Sequence, residues 1–128
     1  MREIKFRGIS TETGQWVYGM LAYYPADGSA MIKINGEMHY VDRKTVGQFT
    51  GLKDKNGVEI YEGDIVKGAP FGKAPKVSQI EYRHSGFSVK DEDFGWEGEG
   101  IWDWDEIEVI GNIYQNPELL NPHHNETN

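Results

Sequence analysis

Apolar residues along the chain fall in short runs that are rich in β-branched and aromatic side chains. Gly, Asn, Asp or Pro bounds most of these runs, which is typical of strands that end in turns. No stretch keeps an apolar stripe at helical spacing for three turns, since glycine interrupts nearly every candidate. The pattern predicts a mainly β fold, with strands in "EIKFRGI", "QWVYGMLAYY", "AMIKING", "EMHYV", "VGQFTGL", "VEIY", "DIVKG", "VSQIEYR", "GFSVK" and "IEVIGNIY".

Turn residues separate the predicted strands. The two Asn-Gly pairs are the strongest signals, because Asn-Gly supplies the positive φ angles that a two-residue β-hairpin requires. Near the C-terminus, "NPELL" at residues 116–120 predicts a short helical turn, with Pro at its first position. The residues expected to form structural turns are Gly14, Asn35, Gly36, Asn56, Gly57 and Gly63.

An internal repeat relates the start of the chain to its centre. Residues 6–18 and 49–61 both read Phe-x-Gly-apolar, four polar residues, Gly, two residues and apolar-Tyr. A strand, a polar turn and a returning strand would give this pattern, so it predicts two related hairpins. Residues 53–57 then form a hairpin corner, and residues 62–64 form a second turn that leads into the next strand.

The second half of the chain supplies four to five further short strands with one long connection. This arrangement is compatible with an SH3-like, partly open barrel. A chain of 128 residues fits one compact domain, here residues 1–120, which can consist of subdomains 1–50 and 51–120. Residues 121–128 contain no large apolar side chain and are expected to be a disordered tail.

Charge is distributed unevenly. The formal net charge is −8, and residues 91–128 contain eleven Asp and Glu but no Lys or Arg. Residues 1–50 carry +1 and residues 51–90 carry +2, so the acidity is confined to the last third of the chain. Cysteine is absent, which excludes disulfides and thiolate metal sites, and no apolar signal region follows the first residues. We therefore expect a cytoplasmic protein without a membrane span.

The acidic segment 91–108 also carries aromatic residues, and two interpretations remain open. It can be an interaction surface with aromatic anchors, or a solvated loop whose aromatic residues close the core. Apolar residues are even-numbered at Trp102 and Trp104 but odd-numbered at Ile107 and Val109, so the face of the strand must switch near residues 105–106 through a bulge or a turn. The candidate interaction residues are Asp91, Glu92, Asp93, Phe94, Trp96, Glu97, Glu99, Trp102 and Trp104.

No motif with specific chemistry is present. The four histidines lack metal-ligand spacing, "FGKAP" lacks the glycine and Ser/Thr of a phosphate loop, and no nucleophile elbow occurs. Catalytic, cofactor-binding and metal-binding residues are therefore not assigned, and no cofactor is expected. The negative net charge and the scattered basic residues disfavour direct nucleic-acid binding.

Three blocks of the sequence carry a family resemblance: "REIKFRG", "TVGQFTGLKDKNGVEIYEGDIV" and "IEVIGNIYQNPELL". They resemble the hallmark blocks of the YopX family, and the resemblance spans residues 2–120. It implies a β-rich protein encoded by a bacteriophage or prophage and acting in a bacterial cytoplasm. The family has no agreed activity or catalytic residue, so the resemblance transfers no site to this chain.

Two function classes follow from these observations. The first is a non-catalytic β-barrel binding or structural module that assembles with copies of itself or with a protein partner. The second is an acidic decoy that uses residues 91–108 to occupy a basic groove on a host protein. An enzyme using paired carboxylates is a weaker third alternative, because nothing in the sequence singles out one pair.

Overall fold

A computed structural model of the protein describes residues 4–23, 30–70, 75–83, 86–89, 99–100 and 104–120. The chain divides into two compact units, residues 1–51 and 52–128. That residues 1–120 act as one domain with subdomains 1–50 and 51–120 stays a prediction. The expected tail, residues 121–128, lies outside the described residues.

The first unit is built from four antiparallel strands and the start of a fifth. They lie in the order β4-β3-β2-β1-β5, and β5 continues past residue 51 to neighbour β6 at the edge of the same sheet. The 3-10 helix η1 connects β4 to β5. The bounds are β1 Phe6–Ile9, β2 Trp16–Tyr23, β3 Ala30–Ile34, β4 Glu37–Val41, η1 Arg43–Thr45, β5 Gly47–Lys53 and β6 Glu59–Tyr61.

One face of this sheet forms the core of the first unit. Ala30, Ile32 and Val41 are buried there, and they alternate along β3 and β4 with residues of the opposite face. A single bridge joins Ser10 to Val41, which brings the end of β4 back to the end of β1. A Cβ built on Gly8 would lie 2.9 Å from the Val41 side chain, so the core packs directly against the β1 backbone.

The second unit contains a five-stranded antiparallel sheet in the order β10-β9-β8-β7-β11. Its core consists of Ile60, Val66, Ile80 and Ile107, with Val109 packed against them. The 3-10 helix η2 follows the last strand. The bounds are β7 Asp64–Pro70, β8 Lys76–Arg83, β9 Gly86–Val89, β10 Glu99–Gly100, β11 Trp104–Asn112 and η2 Pro117–Leu120.

The predicted fold class is confirmed. The described residues are mainly β, arranged in two antiparallel sheets, and a 3-10 helix occupies the predicted C-terminal helical turn. Over those residues neither sheet closes into a complete barrel. The strand-rich composition and the absence of a helical apolar stripe were sufficient signals for this class.

The turn at Asn35 and Gly36 has the predicted geometry. Their φ angles are 50° and 86°, and Ile34 pairs directly with Glu37 on either side of them. Two positive φ angles at the two central residues define the tight hairpin turn whose twist matches the strands. The Asn-Gly pair alone was therefore sufficient to predict both the position of this hairpin and its turn type.

The two repeated segments are both hairpins, but their loops differ in length. Gly14 and Gly57 have the predicted positive φ angles, 74° and 85°. The first loop is closed by the Ser10 N–H, which donates to the Gln15 carbonyl at 2.8 Å, and so contains four residues. The second is closed by the Asp54 N–H, which donates to the Val58 carbonyl at 2.8 Å, and so contains three.

The expected two-residue turn at Asn56-Gly57 is therefore wrong. Only Gly57 of this pair has a positive φ, and its N–H donates to the Asp54 carbonyl at 3.0 Å. This is the three-residue loop in which a turn is followed by a left-handed glycine. The Asp54 carboxylate explains the difference, because it accepts the N–H groups of Asn56 and Val58 at 2.8 and 2.9 Å and fixes the longer loop.

Replacing Gly57 by Val tests the strain at this corner. We expect Gly57→Val to lower the free energy of unfolding by about 1–3 kcal/mol, since a β-branched residue is strained at positive φ. No atom lies within 4 Å of a Cβ built there, so strain rather than collision causes the loss. Lys53→Ala, at an exposed residue of the same hairpin, should change stability by less than about 0.5 kcal/mol. Thermal melts of both variants measure this; equal melting temperatures would contradict it.

Candidate functional site

The outer face of the first unit exposes large apolar side chains. Tyr18 and Met20 are 45% and 66% exposed, and Met38 and Tyr40 are 45% and 55% exposed. Met20 pairs with Lys33 across β2 and β3, and Lys33 pairs with Met38 across β3 and β4. Opposite residues of neighbouring strands point to the same side of a sheet, so these five side chains form one surface, which we name the Met–Tyr face.

Methionine is concentrated on this side of the sheet. Met31 pairs with Tyr40 and is half-buried beside the Met–Tyr face, so Met20, Met31 and Met38 share one side. They are all the methionines of the chain apart from the first residue. Methionine side chains are flexible and polarisable, and they occur often on surfaces that adapt to a partner. The sheet therefore presents an adaptable apolar surface on the side opposite its core.

The other end of the same side is less exposed, and two cations there lie against aromatic rings. Arg7 is 5% exposed, and its guanidinium carbon lies 4.1 Å from the centre of the Trp16 ring. The Lys5 ammonium nitrogen lies 5.2 Å from the centre of the Phe49 ring, which is itself buried. Such cation–aromatic contacts are attractive and hold the rings in place. The two contacts therefore order the side chains that lie next to the Met–Tyr face.

The side of the sheet that bears the Met–Tyr face carries positive charge and no carboxylate among the described residues of β1 to β5. Lys33 is exposed and lies between Met20 and Met38, with Arg7 in register with Tyr18. No Asp or Glu shares this side in β1 to β5, by the strand pairings. A surface with apolar anchors and a lysine at its centre suits an acidic partner rather than a basic one.

In the second unit, the Asp54 carboxylate links a hairpin loop to a distant strand. It is 7% exposed. Its Oδ1 accepts the N–H groups of Asn56 and Val58, and its Oδ2 accepts the N–H of Val109 at 2.9 Å. The Lys55 N–H also donates to the Ile107 carbonyl at 3.0 Å. The hairpin corner is thereby tied to the C-terminal strand β11.

The pKa of Asp54 reflects this environment. Burial is the largest single influence and raises the pKa, since it disfavours the charged form. The N–H groups of Val109, Val58 and Asn56, together with the positive charge of Lys55, outweigh burial and bring the pKa below its ordinary value. The carboxylate is therefore ionised at neutral pH, and its acceptor sites are used by the backbone.

A β-bulge in β11 lies opposite β7. The pairing with β7 shifts between Asp105 and Glu108, and Glu106 adopts a φ of 50°. Ile107 consequently turns into the core while Glu106 stays exposed. The face change predicted near residues 105–106 is confirmed, and of the two expected means, a bulge or a turn, the structure has a bulge.

A shallow cavity of about 240 Å³ lies beside this bulge. The charged residues that line it are two lysines and two glutamates, and one pair, Lys55 Nζ and Glu108 Oε1, lies 3.8 Å apart. Because the positive and negative side chains are equal in number, the cavity favours neither an anionic nor a cationic ligand. The pair is partly exposed and contributes little stability. The other charged lining residues are Lys67 and Glu106.

The turn at Gly63 is confirmed and lies inside the second unit. Gly63 has a φ of 92°, and the Tyr61 N–H donates to the Asp64 carboxylate at 2.7 Å across the turn. The Gly63 N–H donates to the Ile80 carbonyl, while its own carbonyl accepts the N–H of Ile113. This glycine thus links three parts of the unit, and its role is structural.

The acidic interaction surface that the sequence predicts stays a prediction. Glu99 lies in β10 opposite Val89, and Trp104 begins β11 opposite Pro70; nothing is described of their side chains. The remaining predicted residues lie outside the described part of the chain: Asp91, Glu92, Asp93, Phe94, Trp96, Glu97 and Trp102.

Within the described ranges, no group of three or more His, Asp or Glu side chains is placed to hold a metal ion. His39 Nε2 lies 3.9 Å from a carboxylate oxygen of Glu37, an exposed surface pair. None of the helices that the structure describes has the length and apolar content needed to cross a bilayer.

Sequence reasoning missed the Met–Tyr face. The alternation in "WVYGMLAY" indicates a strand with two apolar sides, and such a strand does not reveal which side is covered. One signal was available: once β3 and β4 are joined at Asn35-Gly36, their register places Met31 and Met38 on the same side. Methionine on one side of a hairpin favours a surface that adapts to a partner.

Comparisons with known proteins place this fold in a family. The family described as YopX protein matches residues 5–121. The crystal structure of protein EF1440 from Enterococcus faecalis is 28% identical, with a TM-score of 0.60, and the match covers 94% of this chain and 100% of that one. No curated protein matches. Because the family match spans nearly the whole chain, the protein belongs to the YopX family.

Proposed function

We propose that the protein is a non-catalytic binding module that recruits an acidic protein partner through the Met–Tyr face. The observation that carries this proposal is the exposure of four large apolar side chains, 45–66% each, around one lysine. Contiguous exposed apolar patches on soluble proteins mark interaction sites. Tyrosines supply rigid contact area, methionines adapt their shape, and Lys33 supplies charge selection.

The hydrogen bonds that Asp54 accepts support the non-catalytic part of the proposal. This carboxylate is buried and has a lowered pKa, and it accepts hydrogen bonds from three backbone N–H groups. A general acid or base needs a free acceptor and a pKa near the working pH. Asp54 meets neither requirement, so its arrangement fits a structural role.

The proposed setting is the cytoplasm of a bacterial host, with the protein encoded by a phage or prophage as an accessory factor. The family membership supports this setting, because the family resemblance in the three sequence blocks implies it. Self-assembly is part of the same proposal, since a binding module can take a copy of itself as partner.

A second candidate function is the acidic decoy. The observation that favours it is the presence of nine carboxylates and no Lys or Arg in residues 91–108. A segment of this charge would seek a basic groove on a host protein. It would act through a different part of the chain from the Met–Tyr face, so substitutions at that face leave a decoy function unchanged.

Site-specific photo-cross-linking tests the binding module. We replace Tyr40 by p-benzoylphenylalanine, a similar-sized aromatic, and irradiate in bacterial lysate; mass spectrometry then identifies what is attached. The expected result is a protein segment of net negative charge. Adding Met20→Glu should lower the cross-linked yield by about tenfold or more, since it removes an anchor and repels an acidic partner.

The matched control places the same cross-linker at Val77, an exposed apolar residue of β8. Cross-linking from this position should not capture the acidic segment. Equal capture from both positions, capture of nucleic acid at Tyr40, or a yield unaffected by Met20→Glu would each overturn the proposal. Met20 is 66% exposed, so Met20→Glu should leave the melting temperature nearly unchanged and the comparison interpretable.

A further inference from the structure

The charge of the chain points to a particular occupant for the Met–Tyr face. We propose that this occupant is the acidic aromatic segment 91–108 of a second copy of the chain, an inference that rests on the proposed binding function. Residues 1–90 sum to +3, from +1 for 1–50 and +2 for 51–90, whereas 91–128 carry −11. Opposite charges therefore lie on different parts of one molecule, and association in trans brings them together.

The face and the segment are complementary in more than charge. Lys33 lies between Met20 and Met38 in register, and the described residues of β1 to β5 on this side include no carboxylate. The segment supplies nine carboxylates and four aromatic residues, which are Phe94, Trp96, Trp102 and Trp104. Methionine sulfur makes favourable contacts with aromatic rings, so the three methionines suit an aromatic ligand. A segment that pairs aromatic rings with carboxylates matches both the apolar anchors and the lysine.

Apposition of two identical faces is the other way for two copies to meet, and charge disfavours it. In a face-to-face dimer each Lys33 would approach the positive surface of its partner, and the described residues of β1 to β5 place no carboxylate on that side to neutralise it. Pairing the face of one copy with the segment of the next neutralises both. This head-to-tail contact uses two different surfaces, so it closes into a ring or continues as a filament. Assembly should consequently depend on concentration and weaken with salt.

A peptide with the sequence of residues 91–108 provides the test. It is titrated into the full-length protein carrying ¹³C-methyl methionine, with the signals of Met20, Met31 and Met38 assigned from single Met→Leu substitutions. We expect these three methyl signals to shift with saturation, and light scattering to show that excess peptide disperses assemblies of the wild type. Raising the ionic strength from about 0.05 M to about 0.5 M should weaken binding, because charge pairs are screened. A peptide with Asn and Gln in place of every Asp and Glu should bind at least about tenfold more weakly.

Two charge reversals locate the contact on the protein. Lys33→Glu, in the Met–Tyr face, should weaken peptide binding by about tenfold. Lys44→Glu, at an exposed lysine of η1, is the matched control and should leave binding unchanged. Equal losses in the two variants would show a dependence on overall charge alone and overturn the inference.

The remaining outcomes separate this inference from the function on which it rests. If the peptide shifts no methionine methyl signal, while an acidic host protein still cross-links at position 40, the second-copy inference fails and the binding module stands. If a single-stranded oligonucleotide shifts the same signals and the peptide does not, both fail. If peptide and protein bind but the wild type is monomeric at every concentration, head-to-tail assembly is overturned.

Discussion

Replacing Asp54 by Asn should lower the free energy of unfolding by about 2–4 kcal/mol at neutral pH. The substitution keeps the shape of the side chain but removes its charge and turns one acceptor oxygen into a donor. At least one of the three backbone N–H groups that Asp54 accepts would then face an amide N–H₂ and stay unsatisfied. A hydrogen bond to a charged group contributes about 1.5–3 kcal/mol, and an unpaired buried donor adds a penalty. Chemical denaturation of both proteins measures the difference.

The matched control is Asp42→Asn. Asp42 is exposed and accepts a single N–H, that of Lys44 at 3.0 Å, at the start of η1. Its amide can still accept that bond, so we expect a loss below about 1 kcal/mol. Equal losses at Asp42 and Asp54 would show that the buried network contributes nothing beyond an ordinary turn.

The effect of Asp54→Asn should also depend on pH. The pKa of Asp54 is lowered in the folded protein, so its ionised form stabilises the fold above the unfolded pKa of about 3.9. This contribution is lost as the pH falls through the still lower folded pKa. The difference in stability between wild type and Asp54→Asn should therefore be largest at neutral pH and shrink on acidification below about pH 4. A constant difference from neutral pH to about pH 3 would contradict it.

Replacing Gly19 by Ala should also be strongly destabilising, by about 3 kcal/mol. A Cβ built on Gly19 would lie 2.3 Å from the Lys33 carbonyl oxygen, an atom of the neighbouring strand backbone. Further contacts at 3.0 and 3.1 Å to the side chains of Ile34 and Ile32 leave little room to move away. Overpacking of this kind typically costs about 1–3 kcal/mol, and a backbone neighbour places Gly19 at the upper end.

The control for this prediction is Gly14→Ala. A Cβ at Gly14 meets nothing within 4 Å, although its φ of 74° is unfavourable for alanine. We expect a loss of about 1 kcal/mol from backbone strain alone. Thermal melts of the two variants compare collision with strain. If Gly14→Ala and Gly19→Ala lower the melting temperature equally, the collision between the new Cβ and β3 adds no loss of stability, and the prediction is wrong.

Features determined by neighbouring residues could be predicted from the sequence. Asn35 and Gly36 favour positive φ by themselves, so the hairpin they form needed no knowledge of the rest of the fold. The bulge in β11 was predictable for a similar reason. Side chains alternate along a strand, so a change from even to odd apolar positions requires an extra residue between them.

Features determined by distant residues could not be predicted. The neighbouring Asp54 side chain sets the three-residue loop at Asn56 and Gly57, but the bond that Asp54 accepts from Val109 joins residues 55 positions apart, and no local pattern indicates it. The Met–Tyr face depends on which side of the first sheet is covered, and strand alternation is the same on a covered side and an exposed one. The separate roles of the two sides emerge only from burial in the folded chain.

The bond between Asp54 and Val109 has a consequence for the order of events during synthesis. A chain leaves the ribosome N-terminus first, and the pairings of β1 to β4 involve only residues up to Val41. That sheet can form while the C-terminal part is still being translated. The Asp54 carboxylate, in contrast, lacks its third donor until β11 has emerged. We expect nascent chains truncated before Val109 to resist protease in the first unit while remaining cleavable around the hairpin at Asp54.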